Sequence, residues 1–305
     1  MKAYNWLKNR GSNSKAADKV SVPKHPLAKY HMYACLLHLG QAVATGVLAG
    51  VLDERYDKDV KFKRDVLFSV PVAALIPGFF GISAAGHAYS WLKANLYRRM
   101  EKMRCWQRWA EYALSASLMS LSIALLCTVD QVVTLGCIIA FTGLTMQYGY
   151  KVEKQIAKIP RYIKYMEQDA IDDKRPSEQF WIAVVLQMFV WGITLAYYIS
   201  EVGSVPWFVH AIVGVLITCY TAYPVAMIIY QRRMVDSRLA GSHNLVVTED
   251  TEEMKQAWAS QGKQGTKHTR AIATYEWVEK VYLSLSLLAK TSLGWLVFWG
   301  AIKAQ

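Results

Sequence analysis

Long apolar stretches alternate with polar ones along the whole chain. Apolar residues dominate 30–51, 66–92, 109–129, 131–150, 180–200, 205–230 and 276–302, and the charged residues gather between them. Each block is long enough to cross a hydrocarbon core as a helix, which takes about 20 residues. Lipid offers no partner to an unpaired backbone group, so the pattern predicts an all-α membrane protein built as a bundle of seven transmembrane helices. The breaks between blocks differ in kind. Turns at Asp130–Gln131 and at Glu201–Pro206 (EVGSVP) are short, which predicts that the third and fourth helices, and the fifth and sixth, are antiparallel neighbours. Pro71 and Pro77 fall inside the second block and Pro224 inside the sixth, where neighbouring helices can re-satisfy the freed carbonyls. Residues 232–274, with acids at Glu249, Asp250, Glu252 and Glu253, read as a solvated loop carrying a short helix around 250–260.

Composition narrows the class. With 53% hydrophobic and 19% charged residues among 305, and a mean hydropathy of +0.13, the chain is neither disordered nor an ordinary soluble enzyme. A net charge of +12 invites a nucleic-acid partner, but the distribution of the bases argues for lipid and against nucleic acid. They concentrate in 1–29, 92–107, 151–178 and 232–274, whereas 130–131 and 201–205 hold none and the C-terminus holds Lys303. In 52–65 the bases Arg55, Lys58, Lys61, Lys63 and Arg64 are interleaved with Asp53, Glu54, Asp57, Asp59 and Asp65. The excess of Lys and Arg on alternate connections places the N-terminus in the cytoplasm and, after seven crossings, the C-terminus outside. A basic cytoplasmic face also suits anionic headgroups. Residues 1–29 form a basic N-terminal segment without the apolar core and cleavage site of a secretory signal, and 30–305 form the membrane domain. Cys35, Cys105, Cys127, Cys137 and Cys219 show no paired spacing, so neither a disulfide framework nor a metal site is expected.

Function should lie with the groups that a bilayer makes expensive. Lys290 stands deep in VYLSLSLLAKTSLGWLVFWGAI, too far from either end to snorkel, and a lysine there costs about 2.5–3.5 kcal/mol even on the lenient insertion scale. It must be paired, neutral or covalently used. The obvious partner is Glu111 in RWAEYALSASLM, provided the third helix begins near residues 100–104 and not at the apolar run from Trp109. A carboxylate beside a desolvated lysine favours its cation. His38 with Gln41, and Ser83 with His87, share helix faces by their spacings of three and four; Ser115 follows Glu111 by one turn and Ser286 precedes Lys290 by one turn. Together they suggest a hydrogen-bonded cavity around an ion pair, although a single mid-helix His or Ser is more often a packing residue. Met119, Trp191 and Tyr220, with other aromatic residues of the blocks, offer walls for a long apolar ligand or belts at the interface.

Seven helices with a lysine in the last, the strings RWAEYALSASLM and VYLSLSLLAKTSLGW, HLGQ in the first helix and the histidine of the second together resemble the heliorhodopsins. These are retinal-binding proteins inserted with the N-terminus in the cytoplasm, the orientation that the basic residues indicate independently. The resemblance implies all-trans retinal as cofactor, a protonated retinylidene Schiff base on Lys290 and Glu111 as its single counterion. It also implies a cavity of His38, Gln41, Ser83, His87, Ser115 and Ser286, with Met119, Trp191 and Tyr220 along the polyene and ring. It further implies a homodimer, and strand structure in the first external loop near 60–66. The long 232–274 segment departs from the family's short connection and leaves room for an unknown cytoplasmic signalling partner. A zinc hydrolase of inverted topology would want converging histidines, with one in the last apolar block, 276–302, which has none; a secondary transporter would want repeats and broken helices. A pump needs a chain of carboxylates, whereas Glu111 stands nearly alone, with Glu201 and Asp130 at one edge and Glu153 and Glu279 towards the other. The expectation is a light-sensing photoreceptor that signals and is not an enzyme; light-gated proton conduction, with Glu201 as an outer relay, is the alternative.

Overall fold

In a computed structural model that describes residues 27–51, 57–92, 102–157, 176–242 and 264–303, seven long helices account for most of the described residues. They are α1 (Leu27–Val51), α2 (Val72–Leu92), α3 (Trp106–Leu126), α4 (Val132–Ile156), α5 (Glu178–Ser200), α6 (Trp207–Ser242) and α7 (Gln264–Lys303). Each contains a stretch long and apolar enough to span a membrane. An antiparallel hairpin of β1 (Asp57–Phe62) and β2 (Asp65–Pro71) joins α1 to α2. Helices α1 to α5 pack each on the next in chain order, α6 packs along α7, and α7 closes against α1 and α2. Outward positions such as Tyr33, Leu36, Val43, Val47, Val185 and Met188 are exposed apolar side chains, as a surface solvated by lipid tails requires.

The packed interior has two apolar halves with a polar layer between them. Towards the hairpin, Phe79, Phe80, Met119, Ile123, Phe208, Leu293 and Phe298 form one core. Towards the opposite end, Met103, Val152, Tyr230, Met234, Tyr275 and Tyr282 form the other. Into and along α3 the sequence runs from Met103, just before the helix, through Glu111 and Ser115 to Met119, and along α7 from Tyr282 through Ser286 and Lys290 to Leu293. The expensive groups of both helices therefore sit at one level, between the halves.

Several expectations are corrected. Residues 66–71 are strand and not the start of a helix, because DVLFSVP is rich in β-branched and aromatic residues and pairs with β1; Pro71 ends that strand. Pro77 and Pro224 do lie inside helices. The expected 232–274 loop is shortened at both ends, since α6 runs on to Ser242 and α7 begins at Gln264. Charges do not stop α6, because Met227, Tyr230 and Met234 continue its buried stripe at spacings of three and four. The short helix expected at 250–260 and most of the N-terminal segment lie outside the described residues. Helix α3 starts at Trp106, with Cys105 as its N-cap and the sulfur accepting from the Arg108 amide; Thr128, in the left-handed conformation (φ 68°), follows its end. Helices α3 and α4 are close neighbours as expected, but α5 and α6 are not closely packed despite their short turn. Large rings span the space between them: Trp191 meets Tyr220 edge-on at 5.5 Å, and Tyr198 meets His210 at 5.6 Å.

Candidate functional site

Lys290 is 2% exposed, and its Nζ donates to Glu111 Oε1 at 2.6 Å and to Ser286 Oγ, one turn back on α7, at 2.8 Å. The same Oε1 accepts from Ser83 Oγ of α2 at 2.5 Å and from Ser115 Oγ, one turn on along α3, at 2.9 Å. Three donors thus converge on one carboxylate oxygen, which fixes its position and spreads its charge. Glu111 sits only about one and a half turns into α3, less than the sequence reading required, yet it is 8% exposed. What buries it is the approach of α2: a Cβ on Gly86 would stand 2.8 Å from Glu111 Cγ, so glycine there is what lets the carboxylate lie against α2. Tyr112, next along α3, donates its hydroxyl to the Tyr282 carbonyl at 2.9 Å, and its ring centroid lies 5.2 Å from Lys290 Nζ.

The expected histidines border this pair without bonding to it. His38, fully buried, stacks on His87 with centroids 5.5 Å apart and planes 3° from parallel, and packs on Phe80. Gln41 donates to Thr291 Oγ1 at 2.9 Å, which ties α1 to α7 one residue beyond Lys290. Met119 is buried in the apolar half towards the hairpin, where Tyr220 and Trp191 also pack.

Sequence reasoning missed a second polar cluster. Arg108 forms ion pairs with Glu153 of α4 and with Glu279 of α7, the latter at 2.6 Å, and its guanidinium lies over the Tyr282 ring. Glu153 also accepts from Trp109 Nε1 at 2.6 Å, Tyr275 Oη at 3.0 Å and the Cys105 amide at 3.2 Å, so it anchors the N-terminus of α3, where a negative charge is favoured. A signal was present: Gly149, Val152, Glu153 and Ile156 fall on one buried stripe of α4, which an edge glutamate facing water would not share. His31, seven residues before His38 and so on the same face of α1, was missed too; its Nδ1 lies 3.1 Å from His87 Nδ1. A cavity of about 20 Å³ lies among His31, His87, Glu111, Tyr112, Arg108 and Glu279 and so joins the two clusters.

Residues 27–247 match the family described as heliorhodopsin. The chain belongs to the heliorhodopsin family. No curated protein matches the chain. Membership makes it a retinal-binding rhodopsin of photoreceptor type, integral to the membrane and crossing it several times. The matched stretch ends before α7, so Lys290 lies beyond it; what joins Lys290 to the family's region is its bond to Glu111, inside that region. The residues present fit the cofactor. Retinal carries an aldehyde and a long apolar body, and this site has a buried primary amine beside a fixed carboxylate. Towards the hairpin it is followed by apolar and aromatic walls in which Trp191 Nε1 is buried without a hydrogen-bond partner among the described residues.

Proposed function

We propose that this heliorhodopsin is a light sensor that holds all-trans retinal on Lys290, with Glu111 as the single counterion, and that it signals without pumping. The observation that carries the reading is the buried 2.6 Å contact between Lys290 Nζ and Glu111 Oε1. When bound, retinal supplies an aldehyde that condenses with the Lys290 amine and a polyene that changes shape on absorbing light. Glu111 holds the positive charge at the lysine nitrogen, and Ser83 and Ser115 keep its oxygen in place. Ser286 orients the same nitrogen from its own helix. Met119, Trp191 and Tyr220 line the apolar side. Movement of the nitrogen relative to Glu111 breaks this bonding set and repacks α7 against α2 and α3, which passes the change to the helix ends.

Sensing is favoured over translocation by what lies between Lys290 and the hairpin end. There α7 buries Leu293, Val297 and Phe298 and α3 buries Ile123 and Leu126; the buried hydroxyls of Thr45, Ser122 and Thr194 are turned onto carbonyls of their own helices, and no buried carboxylate or imidazole lies on that side among the described residues. Glu201 ends α5 at an exposed turn, where it accepts from Ser204, and Asp130 is engaged by Lys61. The N-terminus is cytoplasmic in this reading, supported by the basic connections.

Adding retinal to the purified full chain tests the assignment. Lys290→Ala should yield folded protein without a visible band, while Lys280→Ala, at a half-exposed lysine paired with Glu276, should remain coloured. Colour that persists in the Lys290 variant would overturn the proposal. Illuminating lipid vesicles that contain the protein separates the alternatives, since a sustained pH change in the medium would mean translocation.

A further inference from the structure

We propose that His31 is a proton-relay residue: with His87 it forms a two-imidazole bridge from the Lys290–Glu111 pair to the buried Arg108–Glu153–Glu279 cluster. The inference rests on the reading of Lys290 and Glu111 given above. His31 Nδ1 and His87 Nδ1 are 3.1 Å apart, with ring centroids at 5.3 Å, and both residues are buried. A contact between two Nδ1 atoms has one chemical meaning when both rings are neutral: one carries its proton on Nδ1 and donates, and the other accepts there and carries its proton on Nε2. His38 stacks flat on the His87 ring, 3° from parallel, and packs it in place. The cavity beside the pair is lined by Glu111, His87, Arg108 and Glu279 together, and about 20 Å³ is room for one water.

The transfer balances. The nitrogen on Lys290 loses its proton to the Glu111 carboxylate, so that one N–H bond breaks and one O–H bond forms. The carboxyl gives that proton through the cavity to His87 Nε2. His87 then releases its Nδ1 proton to His31 Nδ1, and His31 releases its Nε2 proton towards the carboxylate of Glu279. Each imidazole gains one N–H bond and loses one, and each ends as the opposite tautomer. Only the reverse passage restores the starting tautomers without ring rotation, so the bridge lends a proton to the cluster and takes it back. That is storage within the protein, as a sensor needs, and not net transport. Glutamates are suited to the far end because Arg108 holds both Glu153 and Glu279 in fixed positions.

The test uses the full chain in lipid nanodiscs, loaded with retinal. In His31→Ala, the return of the proton to the Lys290 nitrogen after a flash should slow by about tenfold or more, and imidazole added to the medium should restore the rate. An infrared difference band from carboxyl protonation, assigned by Glu279→Gln, should appear in the parent and vanish in His31→Ala. A purely structural role for His31 would not produce rescue by imidazole. Should His31→Ala not fold, ¹⁵N spectra of histidine in the parent decide: light should exchange the protonated nitrogens of His31 and His87, and unchanged tautomers would overturn the relay. Recovery at the parental rate in a coloured His31→Ala protein would also overturn it while leaving the photoreceptor reading intact. Colour that does not depend on Lys290 would instead remove the reading beneath it.

Discussion

Replacing Glu111 by Gln removes one negative charge 2.6 Å from Lys290 Nζ and changes little else, because the amide oxygen still accepts from Ser83 and Ser115. The magnitude follows from the distance. At an effective dielectric constant of about 20, two unit charges 2.6 Å apart attract by about 6 kcal/mol, and at about 8 Å by about 2 kcal/mol. Excitation moves the positive charge away from the nitrogen and towards the ring, so the carboxylate stabilises the ground state more than the excited state by roughly 4 kcal/mol on this arithmetic. Without it the gap narrows, and the retinal-loaded Glu111→Gln protein should absorb to the red by some tens of nanometres, on the order of that difference. Absorption spectra of the two proteins in the same detergent and salt measure the shift. His38→Ala and His87→Ala serve as comparisons and should move the band less, since neither residue bonds to the pair. An unshifted spectrum in Glu111→Gln would mean that another anion balances the cation and that the pairing argument is wrong.

Three other outcomes follow from the packing. Gly86→Ala places a methyl group 2.8 Å from Glu111 Cγ, so the carboxylate must move; the variant should lose about 1–3 kcal/mol to overpacking and change colour, whereas the same substitution at Gly81, where nothing lies within 4 Å, should do neither. Arg108→Met takes the guanidinium from two buried carboxylates and should cost about 3–5 kcal/mol in thermal unfolding, with Arg108→Met/Glu153→Met costing less than the sum of its parts. At the hairpin, partial burial pushes the Asp130 carboxyl up, but hydrogen bonds from Lys61 and Gln131 and the Lys61 charge outweigh this and hold it below the usual aspartate range. A depressed carboxyl contributes stability that is complete above its unfolded value of about 4 and is lost as pH falls through the lower folded value. The Lys61 amide, which donates to the Asp130 carbonyl at 2.7 Å, should therefore be more protected from hydrogen exchange than in Asp130→Asn at neutral pH. The two should converge below about pH 4, with a difference of about 0.2–1 kcal/mol for so exposed a pair. A gap that is the same at both pH values would show that charge is not what holds the hairpin down.

Hydrophobic blocks long enough to span lipid made the seven helices legible, because a bilayer admits few other solutions. Lys290 and Glu111 were legible for the same reason: each is an ionisable group inside an apolar run, and the cost of leaving either alone names the other as partner. The hairpin strand was misread at 66–71 because a short apolar run looks alike in a strand and a helix until its pairing partner is known. Residues 232–242 and 264–274 were misread because charge density was taken to end a helix, while the buried stripe of Tyr230, Met234, Tyr275 and Val278 continued. The spacing of α5 from α6 could not be read at all, since turn length fixes connectivity and not how far apart bulky rings hold two backbones.

The buried cluster was invisible for a more instructive reason. Arg108, Glu153 and Glu279 each lie near the polar end of an apolar block, where a charge is ordinarily solvated and needs no partner. Their burial is a property of the bundle: α3, α4 and α7 converge at that end, and Trp109, Tyr275 and Tyr282 close over the charges. The same convergence gives the protein its asymmetry. From Lys290 towards the hairpin the described interior holds no buried carboxylate or imidazole, and from Lys290 the other way it passes through imidazoles and a cavity to a guanidinium and two carboxylates. Among the described residues, a proton freed at Lys290 therefore has buried imidazoles and carboxylates to receive it on one side only. Membrane transport requires exits on both sides, whereas a path that is polar on one side and closed on the other lets a proton leave the lysine nitrogen, rest among fixed charges and return. A change in the bonding of Arg108 during that rest acts directly on the start of α3 through Glu153 and on α7 through Glu279. Those helices also carry Glu111 and Lys290, so the event at the chromophore and the response at the helix ends share the same two rigid elements.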